Sequence, residues 1–188
     1  MAELSSVEKF TFSSETASAT TALGAALNSG AGMSNNGTAG YLAGGALSGG
    51  LTPVDTNQKY AYSDDTRSAA TALSTNRDKA GGMSNSGVSG YVVAGGYGSL
   101  GATYLSSTDK YDFSDDTRSA GTALSSARRQ QFAMSDSGVA GYQAGGYDDN
   151  PMSSADTFAW PSDTRSAITA LSTARYAPGG ISDAGGLA

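Results

Sequence analysis

The residues best suited to chemistry in this sequence are paired carboxylates that recur at a fixed place. Asp64-Asp65 and Asp115-Asp116 each stand in the segment Ser-Asp-Asp-Thr-Arg-Ser, and Asp163 keeps one acid of the pair. Several oxygens in one loop suit calcium, and paired carboxylates suit acid–base hydrolysis. The segment is also typical of a tight turn, with Asp65, Asp116 and Asp163 accepting bonds from local N–H groups or the Arg. Because the placement repeats, we favour the turn.

The rest of the composition removes most catalytic options. The sequence has no histidine and no cysteine. That excludes the commonest general base, the Ser-His triads, thiolate metal sites and disulfides. We therefore predict no enzyme, with no catalytic residue, no cofactor and no bound metal.

One glycine motif resembles a nucleotide-binding fingerprint. The residues 96–101 spell Gly-Tyr-Gly-Ser-Leu-Gly. A dinucleotide site also needs a helix directly after the motif and a distal acid inside a βαβ unit. The next residues are instead Ala-Thr-Tyr-Leu and another predicted strand, so we interpret the match as chance.

The loops after each Gly-Gly pair are the candidate binding surface. They vary most between repeats, and variable loops on a rigid scaffold usually carry recognition. Aromatic faces beside carboxylates suit a sugar or a protein partner, although solvated loops without a ligand fit the same residues. The candidate residues are Tyr97, Tyr104, Tyr147, Asp148 and Asp149.

Charge and hydropathy limit the partners. The 188 residues carry a net charge of −6 and have a pI near 4.4. Nucleic acid and anionic membranes attract clustered Lys and Arg, so neither is expected. The first ten residues lack the basic-then-apolar pattern of a signal peptide, which predicts synthesis in the cytoplasm.

Internal repeats organise the whole chain. Aromatic anchors lie 50, 51 and 47 residues apart, at Phe10, Tyr60, Tyr111 and Phe158. Each begins an aromatic-x-aromatic pattern, which predicts a strand with one aromatic face. We divide the chain into one repeat domain, 1–188, with units of about 7–58, 59–109, 110–156 and 157–188.

A turn and a further segment come after each anchor. The Ser-Asp-Asp-Thr-Arg-Ser turn leads into Thr-Ala-Leu and an Arg four residues later, at Arg77, Arg128 and Arg175. A capped helix competes with a strand over this stretch. The turn signals every 8 to 12 residues are typical of all-β proteins, so we predict a strand.

The third anchor is a pair of short strands bounded by glycine. Met-Ser-Asn-Ser-Gly leads to Gly-Tyr-Val-Val-Ala-Gly-Gly within 83–96, and the frame recurs at 32–45 and 133–146. Asn, Asp and Gly favour hairpin turns. Small residues between glycines suit a strand crowded by its neighbours.

Four short strands per unit predict an all-β propeller blade. The order Gly-Gly, then Tyr111-Asp112, then Arg128 resembles the kelch repeat family. That resemblance implies blades of four antiparallel strands. The chain departs from the family in lacking the usual fourth-strand Trp and in having Tyr-Asp only once. The uniform phrasing, MSNSGVSGY and SDDTRSA, also resembles repeat proteins of bacteriophages and aquatic bacteria.

The repeat count predicts a split, incomplete blade. The aromatic strand occurs four times but the Tyr-x-Ala strand three times, and a last glycine segment starts at 179–183. The strand near Phe10 could pair with the segment near Ile181, or copies could exchange ends. We therefore predict a structural or interaction scaffold that forms homo-oligomers or joins other structural proteins, such as a phage fibre, tail or capsid-decorating protein. A carbohydrate- or protein-binding module that uses the loops is the alternative.

Overall fold

The computed structural model describes residues 4–11, 13–47, 52–98, 103–136 and 138–177. Every regular element in these ranges is a β-strand, which confirms the all-β prediction. The described ranges contain no helix with the length and apolarity needed to cross a membrane. The strands are β1 (Val7–Thr11), β2 (Thr16–Thr20), β3 (Ala31–Asn35), β4 (Ala39–Ala43), β5 (Ala46–Leu47), β6 (Thr52–Pro53), β7 (Asn57–Ala61), β8 (Arg67–Ala70), β9 (Gly81–Asn85), β10 (Ser89–Val93), β11 (Gly96–Tyr97), β12 (Thr103–Tyr104), β13 (Thr108–Asp112), β14 (Arg118–Gly121), β15 (Phe132–Asp136), β16 (Ala140–Ala144), β17 (Ala155–Ala159) and β18 (Thr164–Ile168).

Most of these strands form three four-stranded antiparallel sheets in which neighbours in sequence are neighbours in space. Sheet 1 has the order β3-β4-β7-β8, sheet 2 the order β9-β10-β13-β14, and sheet 3 the order β15-β16-β17-β18. A separate hairpin, β1-β2, precedes sheet 1, and the short pairs β5-β6 and β11-β12 lie within the loops. The unit boundaries drawn from sequence fall inside β7, β13 and β17, so each sheet takes its first two strands from one unit and its last strand from the next, and its third strand is divided between them.

The strand interpretation is confirmed for the first part of the stretch where a helix competed with it, and it is wrong for the Thr-Ala-Leu triplet. After the Ser-Asp-Asp-Thr turn the chain enters β8, β14 and β18. β8 ends at Ala70, before the Thr-Ala-Leu triplet, which lies in the segment leading to the next sheet. The glycine-bounded hairpins also form as predicted. Gly87, for example, closes the β9–β10 turn with a φ of 71°, a conformation that suits glycine.

The sheets pack face to face through small residues and aromatics. Tyr111 and Phe113 of sheet 2 are 1% and 5% exposed and pack against Met33 and Tyr41 of sheet 1. Phe158 and Trp160 of sheet 3 pack in the same way against Met83 and Tyr91 of sheet 2. Each aromatic pair therefore buries itself on the preceding sheet.

Glycine makes this packing possible in the second strands. A Cβ at Gly90 would lie 2.7 Å from Met33 Sδ, and one at Gly141 would lie 2.6 Å from Met83 Sδ. Both distances are too short for a side chain, so the crowding predicted for these strands is confirmed.

The first strands of the three sheets make the closest backbone approach. β3 contacts β9, and β9 contacts β15. The Ser34 N–H donates to Ser84 Oγ at 2.8 Å, and the Ser84 N–H donates to Ser135 Oγ at 2.9 Å. Among the described residues no contact of this extent joins sheet 3 back to sheet 1 or to the β1–β2 hairpin. The expected pairing near Ile181 concerns residues outside the described ranges.

The contact between β3 and β9 allows a paired test of packing. A Cβ at Gly82 would overlap the carbonyl oxygen of Gly32, whereas a Cβ at Gly32 has no atom within 4 Å. We predict that Gly82→Ala lowers the free energy of unfolding by about 1–3 kcal/mol, because the two sheets must move apart. Gly32→Ala should stay within about 0.5 kcal/mol of the parent. Urea unfolding measures both, and equal midpoints for the two variants would contradict the close packing.

Candidate functional site

Two regions hold most of the polar side chains that touch across the sheets. The first is the set of junctions between consecutive sheets. We name the contact between the β1–β2 hairpin and sheet 1 junction A, between sheets 1 and 2 junction B, and between sheets 2 and 3 junction C. The second is the row of loops after the second strand of each sheet, which we name the loop edge.

A tyrosine, a lysine and an aspartate meet at junction B. Tyr41 Oη donates to Asp116 Oδ1 at 2.6 Å, and Lys59 Nζ donates to Asp116 Oδ2 at 2.6 Å. The Tyr41 ring stacks on Phe113 with centroids 5.1 Å apart. The same contacts recur at junction C, formed by Tyr91, Lys110, Asp163 and Trp160. Junction A has the corresponding ion pair, between Lys9 and Asp65 at 3.1 Å.

The protonation of these groups fits their hydrogen bonds. Burial raises the pKa of Tyr41, and the bond to the Asp116 carboxylate raises it further. Burial and the bond to Asp163 raise the pKa of Tyr91 in the same way. The bond to Asp116 raises the pKa of Lys59. The phenols therefore stay protonated and the lysine charged at neutral pH, so each cluster remains paired.

The two acids of the repeated turn have different tasks, which corrects one expectation. We assigned local turn bonds to Asp65, Asp116 and Asp163, but these residues reach the neighbouring sheet. Each has a left-handed backbone, with φ of 56°, 58° and 54°. The preceding acid caps the turn instead: Asp64 Oδ1 accepts from the Thr66 N–H at 3.1 Å and from Thr66 Oγ1 at 2.7 Å. The corresponding acid Asp115 does the same.

The turn carboxylates considered for calcium and for hydrolysis have partners at junctions B and C. Among the described residues there is no group of three or more acidic side chains placed to hold a metal ion. Asp116 and Asp163 already accept from a tyrosine and a lysine, so their carboxylates are occupied by cationic and phenolic donors.

A buried carboxylate between two guanidinium groups forms the second contact of junction B. Arg77 and Asp109 are 0% and 1% exposed, and their charged atoms lie 3.2 Å apart. Arg118 binds the other Asp109 oxygen at 3.1 Å. The Ser74 N–H and hydroxyl both donate to Asp109 Oδ2, at 3.1 and 3.0 Å. Arg77 also donates to the carbonyl oxygens of Ala94 and Ser107.

The segment that carries Arg77 connects the two sheets. Its backbone binds the loop of sheet 1, through Leu73 N–H to Asp55 O and Gly45 N–H to Arg77 O. Its side chains bind Asp109 of sheet 2. Burial lowers the pKa of Arg77, and the Asp109 charge opposes that shift. The equivalent cluster at junction C consists of Arg128, Ser125, Asp156 and Arg165.

Junction A replaces the buried arginine–aspartate pair with neutral groups, while Arg67, the equivalent of Arg118, still lies beside Gly24 and Gln58. The Gly24 N–H donates to Gln58 Oε1 at 2.7 Å, in the place of the serine–aspartate bond. Leu27 stands where the next repeats have Arg77 and Arg128. A cavity of about 260 Å³ lies here, lined by Leu27, Gln58, Leu47 and Val54 among others. The chain thus pairs Arg with Asp and Leu with Gln at one structural position.

The loop edge brings together three of the five candidate residues predicted from sequence. Tyr104 and Tyr147 contact edge to face with centroids 6.3 Å apart. Tyr104 Oη donates to Asp149 Oδ1 at 2.8 Å, and this bond raises the pKa of Tyr104. Asp148 is half-buried beside them, and its charge acts on the Arg128 guanidinium. Tyr97 lies apart, in an open depression of about 550 Å³ lined with Pro53 and Asn76, among others.

Two further residues of the loop edge escaped the sequence analysis. Arg129 lies over the Tyr104 ring at 5.3 Å, and Tyr176 contacts Tyr147 edge to face at 5.5 Å. Both come directly after a repeated arginine, Arg128 or Arg175. The equivalent positions hold Asn28 and Asp78, so variation beside a constant arginine was the available signal. We name Tyr104, Arg129, Tyr147, Asp149 and Tyr176 the aromatic cluster.

The nucleotide motif forms a hairpin in its described part. Gly96 and Tyr97 make up β11, which pairs antiparallel with β12. The residues 99–101 of the motif lie outside the described ranges.

Comparison with known proteins adds no relative. No protein-family model matches the chain. No curated protein matches it either. The resemblance to the kelch family therefore stays a prediction that rests on the repeat itself.

Junction B holds an Arg–Asp pair where junction A holds a Leu–Gln pair. Exchanging one pair for the other tests whether the two residues of a pair depend on each other. Asp109→Gln leaves Arg77 buried without its counter-ion, and we predict a loss of about 3–5 kcal/mol in the free energy of unfolding. Adding Arg77→Leu should recover part of that loss, because the pair then matches Leu27 and Gln58 of junction A. Chemical denaturation of the single and double variants measures the coupling.

The exposed ion pair at junction A is the matched control. The side chains of Lys9 and Asp65 are 46% and 40% exposed, so Asp65→Asn should cost less than about 1 kcal/mol. Additive losses for Asp109→Gln and Arg77→Leu would show that the two residues are not coupled.

Proposed function

We propose that this chain is a non-enzymatic scaffold whose sheets are kelch-like blades, and that it works as one part of a larger protein assembly. We further propose that this assembly is a phage virion, in which the chain belongs to a fibre, a tail or a capsid decoration. The resemblance of its uniform repeats to phage repeat proteins supports the second step. Homo-oligomers or other structural proteins are the proposed partners.

The repetition of one junction design is the observation that carries the proposal. Junctions B and C use the same tyrosine–lysine–aspartate contact, the same aromatic stack and the same buried arginine–aspartate pair. A backbone ladder also links the repeats, from Lys79 N–H to Ser29 O, Gln130 N–H to Lys79 O and Ala177 N–H to Gln130 O. Polar groups placed identically in successive repeats serve the joining of sheets, whereas a catalytic site needs its groups at one place.

The shape of each junction supports blades. Backbones come closest at the first strands, where only glycine fits at Gly82. Farther out, at β7 and β13, long side chains such as Lys59 bridge the sheets. Sheets that converge at their first strands and separate at their last are arranged like the blades of a propeller.

Sedimentation velocity and negative-stain imaging test the scaffold function. We expect the purified chain, at tens of micromolar, to sediment as a multiple of its 18.7 kDa mass and to give particles of one repeated shape. A single species at 18.7 kDa over the whole concentration range would contradict a role in assembly.

The aromatic cluster supports a second candidate, carbohydrate binding at the loop edge. Rigid aromatic rings beside a carboxylate and a guanidinium suit the apolar faces and hydroxyl groups of a sugar. Tyr176 is 52% exposed, so part of the cluster is open to a ligand. The loops that carry it differ between repeats, as binding loops on a scaffold do.

A glycan array tests this candidate. If it is correct, the chain binds a defined set of glycans, and Tyr147→Ala weakens binding at least about tenfold by removing the central ring. Tyr97→Ala is the control, since Tyr97 lies in a separate depression and its loss should leave binding unchanged. No bound glycan, or equal losses in both variants, would reject the aromatic cluster as the site.

A further inference from the structure

We infer that the outward face of sheet 3 binds the β1–β2 hairpin of a second copy of this chain, head to tail, with Arg175 of one copy paired with Glu8 of the next. This inference rests on the proposed scaffold function and names the partner and the residues of its assembly. It depends on the position, exposure and charge of these two side chains.

Glu8 occupies the position of the buried aspartates. In its hairpin Glu8 lies opposite Ala19, as Asp109 lies opposite Ala120 and Asp156 opposite Ala167. Asp109 and Asp156 are buried, and each binds an arginine supplied by the segment that precedes its sheet. Glu8 is exposed and has no ion pair among the described residues.

Arg175 is the arginine that such an acid would meet. The Arg175 N–H donates to Met152 O, as the Arg128 N–H donates to Leu105 O. Arg175 Nε donates to Thr173 O at 3.2 Å, as Arg77 Nε does to Thr75 O. Its backbone bond and its Nε bond therefore match those of the arginines in the complete junctions. Arg77 and Arg128 are fully buried, whereas Arg175 is exposed.

The charges on the outward face of sheet 3 and on the β1–β2 hairpin follow the pairing seen at the inner junctions. Inside the chain a leucine segment meets Gln58, and an arginine segment meets Asp109 or Asp156. Of the two faces that no described residue covers, one presents Arg175 and the other Glu8. An acid opposite an arginine continues this pairing, and a neutral residue at either position would break it.

The tyrosine–acid bond of the tyrosine–lysine–aspartate contact also has both of its residues present, although Thr157 stands in the place of Lys59 and Lys110. Tyr142 is the equivalent of Tyr41 and Tyr91, whose hydroxyls bind the turn aspartates of the next sheet. Glu15 takes the place of those aspartates and has the same left-handed backbone, with a φ of 53°. Glu15 of the second copy would accept the Tyr142 hydrogen bond.

An aromatic side chain completes the match. Phe10 is 52% exposed, whereas its equivalents Tyr111 and Phe158 are 1% and 2% exposed because they pack on the preceding sheet. Sheet 3 of a second copy would be the preceding sheet for Phe10. Burying this ring adds apolar area that the charged pair alone does not supply.

Charge reversal tests this junction in the intact chain. Sedimentation velocity over a concentration series gives the dissociation constant of the parent, Glu8→Arg, Arg175→Glu and the double variant. We expect each single variant to associate at least about tenfold more weakly, since like charges then face each other. The double variant should recover association, because each junction again pairs one acid with one arginine.

Mixing the two single variants gives a second, independent measurement. Every contact between unlike variants pairs opposite charges, so the mixture should associate more tightly than either variant alone. Asp64→Arg is the matched control for net charge, since Asp64 caps an exposed turn of sheet 1, and it should leave association unchanged. Circular dichroism checks that all variants keep the β-fold.

The outcomes separate the junction from the scaffold function. An oligomeric parent that neither single variant weakens would overturn the head-to-tail junction and leave the scaffold function standing. A parent that stays monomeric at every concentration would overturn both. Weakening by Asp64→Arg equal to that by Glu8→Arg would also reject the junction, because net charge would then explain the effect.

Discussion

The arrangement of the sheets depends on one buried ionic interaction. In sheets 2 and 3, a carboxylate on the third strand is buried between two arginines. Asp109 binds Arg77, Arg118 and Ser74. A charge without these partners would be strongly unfavourable in the interior. The segment that carries the arginine must therefore lie against the third strand of the next sheet, which fixes the distance and the orientation of consecutive sheets.

This constraint matters because the apolar core is thin. The sheets touch through alanine, glycine, two methionines, two leucines and a few aromatic rings, and the largest fully buried side chains include the two arginines themselves. Small residues allow close approach but specify alignment weakly, since they have little shape. A buried ion pair is weak evidence for net stability, and we infer that these pairs set the alignment of the sheets. Here they act beside Gly82, whose missing side chain lets β9 reach β3.

The β-fold and its strands could be predicted from the repeat, because glycine-bounded hairpins and alternating aromatics are local patterns. The roles of the acids could not. Asp64 and Asp65 are adjacent and chemically alike, and only the left-handed backbone at Asp65 decides which one reaches the neighbouring sheet. Only part of the aromatic cluster could be predicted from the sequence, for a related reason. Tyr104, Tyr147 and Asp149 lie in loops marked by their variability, whereas Arg129 and Tyr176 reach the loop edge from another segment.

Residues at the junctions are largely constant between repeats, whereas residues at the loop edge vary. Positions that contact the next sheet repeat their residue or change together, as Arg77 with Asp109 and Leu27 with Gln58. Positions one residue farther along, Asp78, Arg129 and Tyr176, differ in each repeat, although the backbones of Asp78 and Arg129 make equivalent bonds to Gly96 and Tyr147. A side chain at a junction must satisfy two sheets at once, so a change there requires a second change across the contact. Side chains at the loop edge also contact a neighbouring repeat, as Tyr104 does with Asp149, but the residues that make such contacts differ from repeat to repeat. The scaffold can therefore vary its outer surface without altering how its sheets join, and the exposed Arg175 keeps the residue of a junction position and not of an edge position.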